Sequence, residues 1–298
     1  MHSNIEPLNY ISKELLKNKP IPEKILRLIV LGDSHVISNK DGSLGQNAYL
    51  YKKILLEINY RKENNYFTPN LVIHGGDAVD NGNDEASFQL FHKLTYDKLI
   101  HNGIPIFISI GNHDYDISKP KPDSKNFEKF IGNTRDEIHI PGTNVIYIYL
   151  NTHYCFGPIN KEPVIYSYFS SKVNEDIDLL KKMNSDNVYL IDFHNPFRII
   201  DCNDGLPQFD YHYLQLDQEK IFRDSVNSNV KVCAIFSHHM HTMRECNFNL
   251  KSTINKVPFL ISGKGGNCIS VSNYGSYYEV TFDLITNIIK YKKIMVNV

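Results

Sequence analysis

Residues 25–35 read ILRLIVLGDSH: a run of apolar residues broken only by Arg27, then a glycine, then Asp33 and His35. A short apolar run stopped by glycine reads as a buried strand. The same grammar recurs four times, in LVIHGGD (71–77), IPIFISIGNHD (104–114), VYLIDFH (188–194) and KVCAIFSHHMH (231–241). Each run ends in residues that bind metals: Asp33 and His35, Asp77, then Asn112, His113 and Asp114, then His194, and last His238, His239 and His241. In open α/β sheets, ligands sit beyond the carboxyl ends of the strands, so five such ends can deliver these side chains to one crevice. Gly32, Gly76 and Gly111 directly precede the ligand-type residue in the first three runs, where a sharp turn or a close approach to the backbone is needed.

Two further apolar runs, 145–150 and 257–261, read as strands. Residues 47–60 and 84–101 carry helical spacing between the early strands. The alternation predicts an α/β layered sheet, and from about residue 257 the segments YYEVTFD and NIIKYKKIMV predict antiparallel pairs. No repeat or linker marks a boundary, so one domain over 1–298 is expected. Residues 1–22 form an N-terminal extension, with an amphipathic helix over 9–18 lying across the outside. Residues 197–229 read as an excursion over the active-site face.

Composition removes several function classes. The 298 residues are 42% hydrophobic with a net charge of −1, which lacks the basic excess that drives phosphate-backbone binding, so nucleic acid is not the expected partner. Five cysteines, scattered without a C-x-x-C pair, predict neither a disulfide framework nor a thiolate zinc site. A reducing compartment follows, and with no signal-type leader and no membrane-length apolar run the expected location is the cytoplasm. Oligomeric state is not readable.

Carboxylates, an amide oxygen and imidazoles suit Mn, Fe or Zn, and a carboxylate can bridge two ions. Two cations about 3.5–4 Å apart hold a nucleophilic hydroxide and neutralise phosphoryl oxygens during in-line displacement, which points to phosphoester hydrolysis.

The order D-x-H, G-D, G-N-H-D, H, H-x-H from Asp33 to His241 resembles the calcineurin-like metallophosphoesterase superfamily. The resemblance implies a four-layer α/β/β/α sandwich. It implies a first cation held by Asp33, His35, Asp77 and His241, and a second held by Asp77, Asn112, His194 and His239, with Asp77 as the bridge. It also implies that His113 protonates the leaving oxygen or stabilises phosphoryl charge, with Asp114 orienting its ring.

Departures from the family pattern narrow the branch. His238 stands where the last motif usually has glycine, and a side chain there either crowds the site or contributes to it. Asn81 replaces the phosphate-binding arginine of the protein phosphatases, which also expect Glu at Asp114, and His35 argues against purple acid phosphatases. GNHD, HNP and the late H-x-H are most similar to the cyclic-nucleotide phosphodiesterase and small-phosphoesterase branches. A small phosphodiester is therefore the first expected substrate, ahead of a phosphomonoester, a nucleic acid and a phosphoprotein; a metal-binding scaffold without turnover is the rival class. SGKGGN (262–267) is expected to return to the site, with Lys264 and His238 as candidate substrate contacts. His74 reads as a core residue, His92 and His101 as surface, Tyr211, His212 and Tyr213 as packing, and His153 as a residue that can face the crevice.

Overall fold

A computed structural model describes residues 5–19, 21, 24–118, 122–152, 155–156, 165–166, 169–197, 201–202, 216–226, 229–250, 256–265 and 274–297. Strands β1 (Ile25–Leu31), β2 (Leu71–His74) and β3 (Ile106–Ile108) are parallel neighbours, as the apolar runs predict. With β13 (Tyr274–Asp283) and β14 (Ile289–Asn297) they make a five-stranded sheet of order β14-β13-β1-β2-β3. The last two strands pair antiparallel, as expected from residue 257 onward.

The second sheet has seven strands in the order β4-β5-β8-β10-β12-β11-β9: β4 (Asp136–His139), β5 (Val145–Tyr149), β8 (Val188–Asp192), β9 (Asp201–Cys202), β10 (Lys231–Ser237), β11 (Met243–Phe248) and β12 (Val257–Ser262). Its core of β5, β8, β10 and β12 is parallel. A separate pair, β6 (Cys155–Phe156) and β7 (Ile165–Tyr166), is antiparallel.

Strand alternation sorts β1 into two cores. Leu26, Leu28 and Val30 pack between the sheets with Tyr147, Leu190, Phe236 and Leu260. Ile29 and Leu31 face the other way, against α2 (Gln46–Glu63) and α3 (Glu85–Thr95). On the far side, Ile191, Ile235 and Phe259 meet α5 (Phe169–Lys182) and α6 (Leu216–Ser225) through Leu180, Met183, Phe222 and Val226. Helices, sheet, sheet, helices: the four-layer sandwich is the fold. α3 starts where Asp84 accepts from the backbone of Ala86 and Ser87, and it ends by widening into a π-helical turn over Tyr96–Ile100. α4 (Lys125–Phe130) packs against α3, with Phe127 and Phe130 in the same core as Phe88.

The N-terminal helix α1 (Leu8–Lys17) does more than lie across the outside. β3 is a sheet edge, and Asn9 and Ser12 satisfy it. Asn9 Nδ2 donates to the Ile108 carbonyl at 3.0 Å, the Ile108 N–H donates to Asn9 Oδ1 at 2.9 Å, and the Ile106 N–H donates to Ser12 Oγ at 3.0 Å. No helix among the described residues is long and apolar enough to cross a membrane.

Cys202 and Cys246 form a disulfide, which corrects the reading of the cysteines. They are 44 residues apart in sequence but are direct partners in the β9–β11 register, a pairing that spacing alone does not reveal. The expectation of a reducing compartment loses its support, because disulfides persist in oxidising surroundings. His153 and the cluster of Tyr211, His212 and Tyr213 lie outside the described residues. His101 is exposed and His92 is partly buried, its Nε2 2.9 Å from the Glu6 carbonyl.

His74 is the core histidine expected. It is fully buried edge-on against the stacked Tyr51 and Phe91 rings, with Nε2 3.0 Å from Ser34 Oγ. Burial, helped by the neighbouring His238, pulls its pKa down to about 3. Below about pH 6.5 the unfolded chain binds a proton that the folded chain refuses, so stability falls as pH drops towards 3, by up to about 1.4 kcal/mol per pH unit. Urea midpoints at pH 6.5 and 4.5 should converge in His74→Gln relative to the parent; an unchanged pH slope would contradict this. Reducing Cys202–Cys246 should cost roughly 2–4 kcal/mol of stability, read as a lower urea midpoint in reductant.

Candidate metal centre

The loops after β1 and β2 are joined along their length. Asp33 N–H donates to the Gly76 carbonyl, His35 N–H to that of Asp77 and Val36 N–H to that of Ala78, at 2.9–3.0 Å. Seven described non-glycine residues have positive φ, and five are sequence-predicted ligands: Asp33, His35, Asp77, His239 and His241, at 42–66°. Asp and His tolerate this region better than most residues, yet each costs of order 1 kcal/mol and persists only where its surroundings impose it. The strain collects where ligand-type side chains must turn inward.

Those side chains converge. Asp33, His35, Asp77 and His241 each offer a ligand atom within 4.8 Å of the others, and Asp77, His194 and His239 do the same, so Asp77 belongs to both groups. His194 Nε2 lies 3.2 Å from Asp77 Oδ2, 3.1 Å from Asn112 Oδ1 and 3.1 Å from His239 Nδ1. His35 Nε2 lies 3.2 Å from His241 Nε2 and 3.5 Å from Asp77 Oδ2. All seven residues predicted as ligands sit in this one crevice.

Each buried aspartate is held by one oxygen. Asp33 Oδ1 accepts from the His239 N–H at 3.2 Å and Asp77 Oδ1 from the His113 N–H at 2.8 Å. Their second oxygens, both Oδ2, are buried with no hydrogen-bond partner. Two orphan carboxylate oxygens among converging imidazole nitrogens are the donor set for divalent cations, and the residues fit them. The imidazoles are oriented from behind: His194 Nδ1 donates to the Gly75 carbonyl at 2.7 Å, aiming Nε2 at the cage. Burial disfavours His194's charge, but Asp77 overrides it and raises the pKa to about 9. Burial likewise opposes Asp77's charge, and His194 with the other imidazoles holds it well below the carboxylate range. Burial pulls His241 down.

Asp80 was not singled out by the sequence, although it lies inside GDAVDNG. Its carboxylate Oδ1 sits 3.3 Å from His35 Nδ1, and its backbone carbonyl accepts from His113 Nδ1 at 2.7 Å. The hydrogen bond from His35 lowers its pKa. One residue thereby orients both rings.

Two expectations need correction, those for Asp114 and His238. Asp114 does not orient His113: its carboxylate accepts from the Gly111 and Val79 backbone amides at 2.9 and 3.2 Å, bracing the two loops, and burial pushes its pKa up to about 7. His238 is no substrate contact; it is fully buried behind the cage. Lys264 Nζ is engaged with the Tyr274 hydroxyl at 3.1 Å and lies over that ring. The glycine-rich segment does return to the site: a Cβ on Gly263 would lie 2.2 Å from Asp33 Oδ2.

Two ligand groups that share Asp77 on this fold fit divalent metal ions. The model of the calcineurin-like phosphoesterase family matches residues 26–248, and the chain belongs to that family. No curated protein sequence matches it. Among solved structures it is similar to purple acid phosphatase PPD1 from yellow lupin (Lupinus luteus) seeds, at 10% identity and a TM-score of 0.55, over 93% of this chain and 55% of that one. It is also similar to TT1561 of Thermus thermophilus, at 8% identity and a TM-score of 0.47, over 90% and 98% of the two chains. A third is 5'-nucleotidase from Candida albicans, at 14% identity and a TM-score of 0.45, over 94% and 53%. The chain spans about half the length of the lupin enzyme, and the likeness is one of fold.

Cations that bind this cage stabilise the folded chain by mass action, by about 2.7 kcal/mol at a hundred times Kd. Manganese added after chelation should raise the thermal midpoint of the parent and leave Asp77→Ala unmoved; an equal rise in both would place the cation elsewhere.

Proposed function

We propose that the protein hydrolyses a small phosphodiester at a binuclear centre, with Asp33, His35, Asp77 and His241 on one cation and Asp77, Asn112, His194 and His239 on the other. The observation that carries this is the pair of ligand groups sharing Asp77. When bound, two cations supply the Lewis acidity that activates water and neutralises phosphoryl oxygens.

The chain's own residues do the rest. Asp77 would hold both cations: its Oδ1 accepts from the His113 N–H and its Oδ2 has no hydrogen-bond partner. The bond from His113 Nδ1 to the Asp80 carbonyl fixes a hydrogen on that nitrogen and leaves Nε2 for the substrate; in the doubly protonated ring Nε2 would give its proton to the leaving oxygen, and the neutral ring would keep the hydrogen on Nδ1. A diester carries one negative charge and a monoester dianion two. The arginine that the protein phosphatases use is here Asn81, exposed and capping its own turn by accepting from the Asn83 N–H at 3.2 Å, and Lys264 is engaged with Tyr274. This modest supply of positive charge favours the diester. Manganese, iron and zinc all suit the donor set. The Cys202–Cys246 bond leaves a cytoplasmic address out of this reading.

Chromogenic diesters and monoesters, offered to protein reloaded with manganese, iron or zinc, test the reading. Faster diester turnover supports it, faster monoester turnover makes the protein a phosphatase, and metal binding without turnover makes it a scaffold. Asp77→Ala should lose metal and activity together. His113→Ala should keep its metal and lose roughly 10²–10⁴-fold in rate; a parental rate would remove His113 from the chemistry.

A further inference from the structure

His238 takes the place where the family's last motif usually has glycine, and its ring is turned into the interior, onto Ser262 and Asp192. Its backbone N–H donates to the His194 carbonyl at 2.9 Å, and Ser237 Oγ donates to the same oxygen at 3.0 Å. The buried ring places Nδ1 2.7 Å from the Ser262 carbonyl and Nε2 2.9 Å from Asp192 Oδ1. A carbonyl oxygen only accepts, so Nδ1 carries a hydrogen. The Tyr147 hydroxyl donates to Asp192 Oδ2 at 3.3 Å. Both ring nitrogens are thus spent on the second sheet.

The faces of the ring meet the first sheet. A Cβ built on Gly75 would lie 1.6 Å from His238 Cδ2, and one on Gly32 would lie 2.4 Å from His238 Nδ1. Gly32 precedes Asp33, and Gly75 precedes Gly76 and Asp77. The Gly75 carbonyl also accepts from His194 Nδ1. One ring therefore backs the turns that carry Asp33 and Asp77 and ties them to the second sheet, from which His194 comes.

We propose that His238 is a positioning residue: a hydrogen-bonded spacer, seated on the joined Gly32 and Gly75 turns and bonded to the second sheet, that sets how far Asp33 and Asp77 stand from His194. The inference rests on the binuclear reading above. With glycine in its place the turns would relax into the void, since close-packed interiors do not leave such space unfilled without cost. Outer partners of metal ligands typically change affinity by roughly 10–100-fold.

Manganese titration of the metal-free parent, His238→Gly and His238→Gln, followed by calorimetry and by electron paramagnetic resonance at saturation, tests this. The parent should take up two equivalents and give the spectrum of a coupled pair. His238→Gly should bind the first equivalent as the parent does and the second roughly 10–100-fold more weakly, with an altered pair spectrum at saturation. His238→Gln, whose amide can still donate to Asp192, should recover most of the lost affinity. A folded His238→Gly with parental affinity for both equivalents and an unchanged pair spectrum overturns the proposal. If His238→Gly fails to fold, Asp192→Asn serves, with a weakened second equivalent expected and parental binding overturning. A parent that binds one equivalent sinks the binuclear reading itself, a result visible before any variant is made.

Discussion

Asp77 is a buried carboxylate surrounded by imidazoles, and most of what is unusual in this structure exists to keep it there. Taking a carboxylate out of water is costly unless positive charge and hydrogen-bond donors replace the water. Here the replacement comes from elements distant in sequence: the His113 amide on one oxygen, and His194 and His35 near the other. The left-handed backbone at Asp33, His35, Asp77, His239 and His241 is the local cost of this arrangement. The two joined loops spread that cost over backbone hydrogen bonds that neither loop makes alone.

The sandwich explains why the pieces can meet. Its central core, filled by Leu28, Val30, Tyr147, Phe236 and Leu260, aligns the sheets so that the carboxyl ends of β1 and β2 face those of β8 and β10. Asp33 and Asp77 come from the first sheet, and His194, His239 and His241 from the second. The site is a property of the sheet-to-sheet contact, and neither sheet alone contains a full ligand set.

Much of this was legible in the chain because burial and ligation leave different marks. Apolar runs report strands buried on both faces, and β1, β2, β3, β5, β8, β10 and β12 were read that way; all seven ligand-type residues follow such runs. The half-exposed β4 and the alternating β11 (MRECNF) lack the run and escaped it. Side-chain direction was the other blind spot. Nothing in GNHD says that Asp114 braces backbone amides while the Asp80 carbonyl accepts a hydrogen bond from His113 Nδ1, because that depends on where two loops cross. The pairing of Cys202 with Cys246 depends on the β9–β11 register, which one sequence does not encode visibly. His238 shows the limit most plainly: a polar residue in a ligand-rich motif, spent wholly on the interior.

The bonds that Asn9 and Ser12 make to β3 carry a consequence for the solution behaviour of the molecule. An uncovered strand edge is a template on which another chain can add, and this one lies two strands from β1 in the sheet that supplies both aspartates. The first helix therefore works as a sealed hem. Shortening the chain past Ser12 would leave the metal ligands untouched and yet invite strand-to-strand association, so loss of activity in such a variant would report aggregation rather than chemistry.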